Sequence, residues 1–260
     1  MPIFVQYRYQ PLSGEDAIRL IVLNPSQDKE APLSCSIIQH RRSTTQTVTY
    51  SAVSYAWGLP EFTKKLEVEC DGDVSYLSIT PTVDTLLRYL RSPNRTHRLW
   101  IDALCLNQAD EMERAQQIPM MGRIYEEAER VHIWLGPANR MTAKLFGFFR
   151  EASSFPEVEK REMAIRVVFS LSKHCGSDGF CGQQSLFQFS ERAWFCRRWV
   201  IQEACLARQA ILHCGRHGLP LPTLVKAAAR YQTLDVSSYP IKVMANLSRP
   251  TAGLNMLKLL

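Results

Sequence analysis

Three short apolar runs that alternate with helical patterns along the chain, the first of them separated from its helix by a hairpin, constrain the fold most strongly. They occupy residues 51–57, 99–104 and 131–135. A strand that is apolar on both sides is typical of a parallel sheet covered by helices on both faces. Strands alternating with helices also favour parallel order. The sequence therefore predicts an α/β fold with a largely parallel sheet flanked by helices.

The remaining patterns place further elements around these runs. Residues 17–23 and 33–38 read as partner strands, and the turn at 71–73 predicts a β-hairpin of residues 66–70 and 74–79. Thr80 and Pro81 predict a helix start, as N-cap and first helical residue. A helix from about Asp110 should kink, or break into two helices, at Pro119. Its predicted inward residues are Ile118, Met121, Ile124, Tyr125 and Ala128.

The second half of the chain is predicted to be mostly helical. Helices are expected over 140–152, 157–173, 194–207 and 220–231, with a short strand at 210–214. Residues 174–190 are rich in Gly and Ser, which predicts a loop.

Composition narrows the classes of protein to be considered. The chain has 260 residues and a formal net charge of +6, which is too mild and too scattered for a typical nucleic-acid-binding protein. No run reaches the roughly 18–20 apolar residues of a membrane span, and the N-terminus lacks the layout of a secretory signal. Eight dispersed cysteines without a CxxC pattern favour reduced thiols, hence a cytoplasmic location. No zinc-site spacing occurs, so no metal is expected.

Two acidic residues stand in unusually apolar surroundings. Asp102 lies within the 99–104 run, and Glu203 lies on a predicted helix rich in Trp, Val, Cys and Ala. Burial of a lone carboxylate costs several kcal/mol unless it is paired or neutralised. Either an arginine satisfies each acid (Arg98, Arg197 and Arg198 are candidates), or the acid faces a ligand. Trp199, one helical turn before Glu203, favours a ligand for that residue.

The rim of the sheet supplies the other candidates. Ligands of open α/β sheets bind outside the carboxyl ends of the strands. By this rule the predicted pocket walls are Tyr55, Trp57, Asp102, Asn107 and Gln108. Packing alone also explains Tyr55 and Trp57. Asp110 and Glu113 read as a capping box, which makes Glu113 structural. No phosphate-loop, dinucleotide-fingerprint or hydrolase-elbow motif is present.

Several blocks resemble, in order, those of the fungal heterokaryon incompatibility (HET) domain. They are YSAVSYAWG at 50–58, LWIDALCLNQAD at 99–110 followed by Glu113 and Arg114, VHIWLG at 131–136, and RWVIQE at 198–203. The opening YRYQPLSGEDAIRL also resembles the approach to that domain. The resemblance covers residues 7–218. Pro119 and the 174–190 segment depart from the family pattern.

The resemblance implies three parts. Residues 1–49 would form a β extension, 50–218 the HET core, and 219–260 a C-terminal helical segment that is truncated relative to longer members. It also implies a distant similarity to TIR domains, and so a TIR-like or flavodoxin-like sheet with the hairpin as an insertion.

The implied function is that of a death effector in fungal non-self recognition. Many TIR domains cleave NAD at the nicotinamide–ribose bond, which makes NAD a candidate substrate, with no cofactor required. Glu203 and Asp102 would then be catalytic, while Tyr55, Trp57, Asn107, Gln108 and Trp199 would bind the nucleotide. The alternative is a non-enzymatic module that self-associates or binds another incompatibility protein.

Overall fold

The computed structural model describes residues 5–42, 48–70, 72–176, 179–197, 200–232 and 234, with only the backbone at 179–181 and 201. Contacts divide the chain into two compact units. The first, called the sheet unit, is Met1–Ala138 with Leu206–Gly218. The second, called the helical unit, is Asn139–Cys205 with Leu219–Leu260.

Within the residues that the structure describes, ten strands form one sheet. They are β1 (Val5–Gln6), β2 (Ala17–Leu23), β3 (Ser34–Arg41), β4 (Ser51–Tyr55), β5 (Lys64–Cys70), β6 (Asp73–Ile79), β7 (His97–Trp100), β8 (Arg130–Trp134), β9 (Ala210–Cys214) and β10 (His217–Pro220). Their order across the sheet is β1-β6-β5-β3-β2-β7-β4-β8-β9-β10. Among the strand pairs with a described register, five are parallel and three antiparallel. The predicted α/β class with a largely parallel sheet flanked by helices is confirmed.

Strands β7, β4, β8 and β9 form a continuous parallel core. Ser51 of β4 pairs with Leu99 on one side and Arg130 on the other, and Val131 of β8 pairs with Ala210. Numbered by their position in the chain, these four strands stand in the order 2-1-3-4, which is the flavodoxin-like order. All four carboxyl ends therefore lie at one edge of the sheet.

The N-terminal strands and the hairpin have the expected pairing. β2 is antiparallel to β3 from Ala17–Arg41 to Leu23–Cys35, and β5 is antiparallel to β6 from Lys64–Ile79 to Cys70–Asp73. β2 also pairs antiparallel with β7. β2 and β3 therefore extend the same sheet.

The described part of the sheet unit contains the helices α1 (Pro81–Leu90), α2 (Asp102–Cys105), α3 (Glu111–Gln117) and α4 (Met121–Glu127). The Thr80 hydroxyl accepts the N–H of Val83, which confirms the predicted cap of α1. The break at Pro119 is also confirmed, since a 3-10 turn at Ile118–Met120 separates α3 from α4. The inward placement of Ile118 was wrong, because its side chain is 48% exposed at this break.

The second apolar run, residues 99–104, ends as a strand earlier than predicted. β7 stops at Trp100, and Asp102 begins α2 instead of lying inside a strand. Leu104 and Cys105 both donate their N–H groups to the carbonyl of Ile101, which bends the chain out of the sheet. The apolar character of residues 103–106 reflects a buried turn of helix.

The helical unit contains α5 (Thr142–Ser153), α6 (Lys160–Cys175), α7 (Gly179–Ser190), α8 (Val200–Cys205) and α9 (Leu221–Tyr231). α5 packs against α6 and α9, and α6 packs against α7. The predicted 174–190 loop was wrong, because α6 continues to Cys175 and residues 179–190 form α7. The single helix predicted over 194–207 is also wrong: a 3-10 turn at Ala193–Cys196 precedes α8, which ends at Cys205.

No helix in the described ranges is long and apolar enough to cross a bilayer.

Candidate functional site at the carboxyl edge of the sheet

A small aromatic cavity lies where β4 and β7 end. Its volume is about 70 Å³. Tyr55 closes β4, Trp57 follows it, and Gln108 belongs to the loop after α2. The other lining residues are Gly58, Leu59, Pro60, Phe62, Ser78, Ile79, Thr80, Val83, Ala103 and Leu104. Three of the five predicted walls, Tyr55, Trp57 and Gln108, therefore meet at one cavity.

Asp102 stands beside this cavity and is held in place by its neighbours. Its Oδ2 accepts the indole Nε1–H of Trp57 at 2.8 Å, and its Oδ1 accepts the N–H of Ala103 at 2.8 Å. Its carbonyl accepts the Nε2–H of Gln108 at 3.0 Å. The residue is only 7% exposed. These contacts fix the carboxylate at the predicted edge, through an indole and a backbone amide.

Asn107 has a different role from the other predicted walls. Its N–H donates to Oε1 of Glu113 at 2.8 Å, and its Oδ1 accepts the N–H of Ala109 at 3.3 Å. It is not among the residues that line the aromatic cavity. Asn107 thus shapes the loop that carries Gln108.

A buried ion pair anchors this loop to the sheet. Arg19, inside β2, donates to both carboxylate oxygens of Glu113 at 2.6 and 2.9 Å and to the carbonyls of Gln10 and Cys105. Both side chains are buried. The predicted capping box is only half correct: Asp110 caps α3, but the described contacts of Glu113 reach Arg19 and Asn107. An arginine within the apolar run AIRLIVL was the sequence signal for this anchor.

Glu203 lies on α8 in the helical unit. It is 2% exposed, and the guanidinium of Arg197 donates to both of its oxygens at 3.2 Å. Arg197 keeps 23% of its side chain exposed. Of the two readings left open by the sequence, this geometry supports pairing with an arginine. Arg198 and Trp199 lie outside the described residues.

Two neighbouring histidines form a second polar feature of the sheet unit. His132 of β8 and His213 of β9 approach at 2.9 Å between Nδ1 and Nε2. Burial lowers the pKa of both imidazoles, and the charges of Arg130 and, for His132, His213 add to this effect. Both rings are therefore neutral at physiological pH. Among the described residues, no cluster of three or more His, Cys, Asp or Glu is arranged to hold a metal.

Comparison with known proteins identifies the family. The sequence model described as "Heterokaryon incompatibility protein (HET)" matches residues 50–203, more than half of the chain. Heterokaryon incompatibility protein 6, OR allele, of Neurospora crassa is 31% identical over an alignment of 228 residues, and the match covers 76% of this chain and 33% of that protein. The chain thus spans about a third of the relative's length. No solved structure matches the chain.

Proposed function

The chain belongs to the heterokaryon incompatibility (HET) family, and from this premise we propose that it is an effector of fungal non-self recognition that triggers programmed cell death. The observation that carries the proposal is the family match over residues 50–203. The relative's name, heterokaryon incompatibility protein 6, points to the same process. The buried thiols of Cys35 and Cys105 suit the reducing cytoplasm, where we place the protein.

Induced expression in a filamentous fungus tests this role. Hyphae that produce the chain should arrest and lyse, whereas hyphae that produce the fold-disrupting variant Arg19→Met should grow. Viability counts and immunoblots of the same cultures give the readout. Normal growth at protein levels that match the endogenous HET proteins would contradict the proposal.

The proposed activity is hydrolysis of NAD at the nicotinamide–ribose bond. The C1′–N bond breaks and its electron pair leaves with nicotinamide, while the oxygen of water bonds to C1′ and releases a proton. The transition state carries positive charge on the ribose, and the leaving group is neutral, so a strong general acid is unnecessary. A fixed carboxylate close to the ribose supplies the main stabilisation.

Asp102 is the carboxylate that the described geometry supports best for this role. It lies at the carboxyl edge of the parallel strands and accepts a hydrogen bond from the indole of Trp57, which lines the cavity together with Tyr55. The 70 Å³ cavity is smaller than the roughly 300–1,000 Å³ of typical ligand sites. Binding of NAD therefore requires the apolar segment 57–62 to move outward. The side chains of Leu59 and Phe62 are 72% and 58% exposed, so few contacts would have to break when this segment moves.

Glu203 remains the second candidate carboxylate for the same reaction. Its ion pair with Arg197 must open before it can contact a ribose, which makes its participation more costly than that of Asp102. Trp199, one of the predicted nucleotide-binding residues, lies outside the described residues. The two acids are therefore best separated by experiment.

Nicotinamide release from concentrated protein distinguishes them. Asp102→Asn and Glu203→Gln keep the shape of each side chain and remove its charge, and Glu162→Gln on the exposed surface of α6 is the matched control. We expect Asp102→Asn to reduce release at least 100-fold and Glu162→Gln to change it less than twofold. A wild type that assembles and kills cells without consuming NAD would refute the enzymatic proposal.

A non-enzymatic, self-associating module is the second candidate function. The outer face of α6 exposes Ile165, Val168 and Phe169 at 62%, 50% and 70%, at the i, i+3, i+4 spacing of one helix face. Such a face favours association with a second copy of the chain. The double variant Ile165→Asp with Phe169→Asp should then sediment as a monomer and fail to kill cells. NAD levels should be unchanged in cells that produce either the wild type or this variant.

A further inference from the structure

The helical unit contains a cavity of about 760 Å³ that the proposed function does not use. It is bounded by the segment that starts α5, the end of α6 and one face of α7. Its lining residues are Asn139, Arg140, Met141, Lys144, Cys175, Gln184, Ser185 and Gln188. This volume falls within the range of sites that bind small molecules.

One wall of the cavity carries two positive charges. Arg140 precedes α5 and Lys144 lies in its first turn, four residues later, and both side chains are exposed. The ion pairs among the described residues include neither of them. The described lining also contains no carboxylate. An unbalanced pair of cations in a concave site attracts anions.

The part of the lining that α7 supplies offers neutral hydrogen-bonding groups. Gln184 and Gln188 are one helical turn apart on α7, and both are exposed. Each amide provides two N–H donors and one acceptor. A ligand in the cavity would therefore meet both cations and amides.

The segment that carries Arg140 is preorganised. Oδ1 of Asn139 accepts the N–H of Met141 at 2.9 Å and the hydroxyl of Thr142 at 3.1 Å. The N–H of Asn139 donates to Oγ1 of Thr142 at 3.0 Å. A backbone held in this way loses little further entropy when a ligand binds.

We propose that this cavity binds a small phosphorylated anion of nucleotide size. Arg140 and Lys144 contact the phosphate oxygens, since a guanidinium and an ammonium are the side chains best suited to phosphate. Gln184 and Gln188 hydrogen-bond the remaining polar atoms of the ligand. The site lies wholly within one unit and does not involve Asp102.

Calorimetric titration of the purified chain with ATP and with adenosine tests the proposal. Arg140→Ala with Lys144→Ala removes the two lining charges. The matched control, Lys160→Ala with Arg161→Ala at the start of α6, removes two exposed charges outside the described lining. We expect the wild type to bind ATP saturably and to bind adenosine at least tenfold more weakly. The first double variant should bind ATP at least tenfold more weakly than the wild type does. The control variant should bind ATP with an affinity within twofold of wild type. Unfolding midpoints verify that all variants remain folded.

Three results would overturn the proposal. They are the absence of saturable ATP binding by the folded wild type, equal weakening by both double variants, and equal affinity for ATP and adenosine. Inorganic pyrophosphate should compete with ATP, because the phosphate oxygens are the groups recognised. None of these readouts depends on nicotinamide release, so failure of the NAD proposal and failure of this one remain distinguishable.

Discussion

Single residues decide how this chain tolerates buried charge. Arg19 and Glu113 are both buried, and the carbonyls of Gln10 and Cys105 satisfy further N–H groups of the guanidinium. Glu203 is equally buried, but its partner Arg197 reaches solvent. When Arg19 is removed, the carboxylate of Glu113 stays buried away from water. When Glu203 is removed, the guanidinium of Arg197 remains partly in contact with water.

Arg19→Met should be the most damaging of the substitutions considered. It leaves Glu113 buried without its cation, and loss of one partner of a buried pair costs about 3–5 kcal/mol. Urea unfolding measures this free energy. Arg166→Met, at the exposed pair with Glu162, is the control and should cost less than about 0.5 kcal/mol. A cost below about 1 kcal/mol for Arg19→Met would show that Glu113 finds another partner.

Glu203→Ala should have an intermediate effect. The guanidinium left behind is partly solvated, so we expect a loss of about 1–3 kcal/mol, less than for a fully buried pair. The same urea titrations give the order of the variants. A larger cost for Glu203→Ala than for Arg19→Met would contradict the exposure argument.

The helices α4 and α5 each contain an internal glycine, and the surroundings of the two glycines differ. Gly147 lies in the middle of α5, and a Cβ at this position would be 2.8 Å from Nδ1 of His174. His174 is fixed in turn by a 2.6 Å contact with Glu151. Gly122, in α4, would meet only the flexible end of Leu206, at 3.3 Å. The first glycine permits two helices to approach, while the second has no such constraint.

Alanine at these two positions should therefore change stability in opposite directions. Gly147→Ala is expected to cost about 1–3 kcal/mol, because overpacking outweighs its helix propensity. Gly122→Ala should be neutral or stabilise by up to about 1 kcal/mol. Thermal and urea unfolding of both variants check this. Stabilisation by Gly147→Ala would mean that His174 moves aside at little cost.

At the scale of the whole molecule, the histidine pair makes stability depend on pH. Burial holds the pKa of His132 and His213 below the ordinary 6.5, with help from Arg130 and, for His132, from His97. Below pH 6.5 the unfolded chain binds protons that the folded chain excludes, so folding weakens as the pH falls. The net charge of +6 adds repulsion in the same direction.

We expect the free energy of unfolding to fall by about 2–3 kcal/mol between pH 7.5 and 5.5 through these two histidines. Urea titrations across this range measure the decrease. The double variant His132→Gln with His213→Gln should flatten the profile. An equally steep profile in that variant would assign the pH dependence to other groups.

The sequence by itself determined the class of fold, most element positions and the family. Apolar runs, the Thr80–Pro81 cap and the break at Pro119 act over a few residues, so their effect is readable from neighbours in the chain. It also placed Tyr55, Trp57 and Gln108 at one edge, because parallel strands share that edge. Their roles in catalysis or binding, like the three-part division of the chain, remain predictions.

Only the tertiary structure decided which partner each buried acid has. Trp57 reaches Asp102 across 45 residues, and Arg19 reaches Glu113 across 94. Residues 179–190 became helix despite their Gly and Ser content, since α7 packs on α6. The energies of burial and pairing depend on contacts between residues that are far apart in the chain. Local sequence patterns do not show which of these residues meet in space.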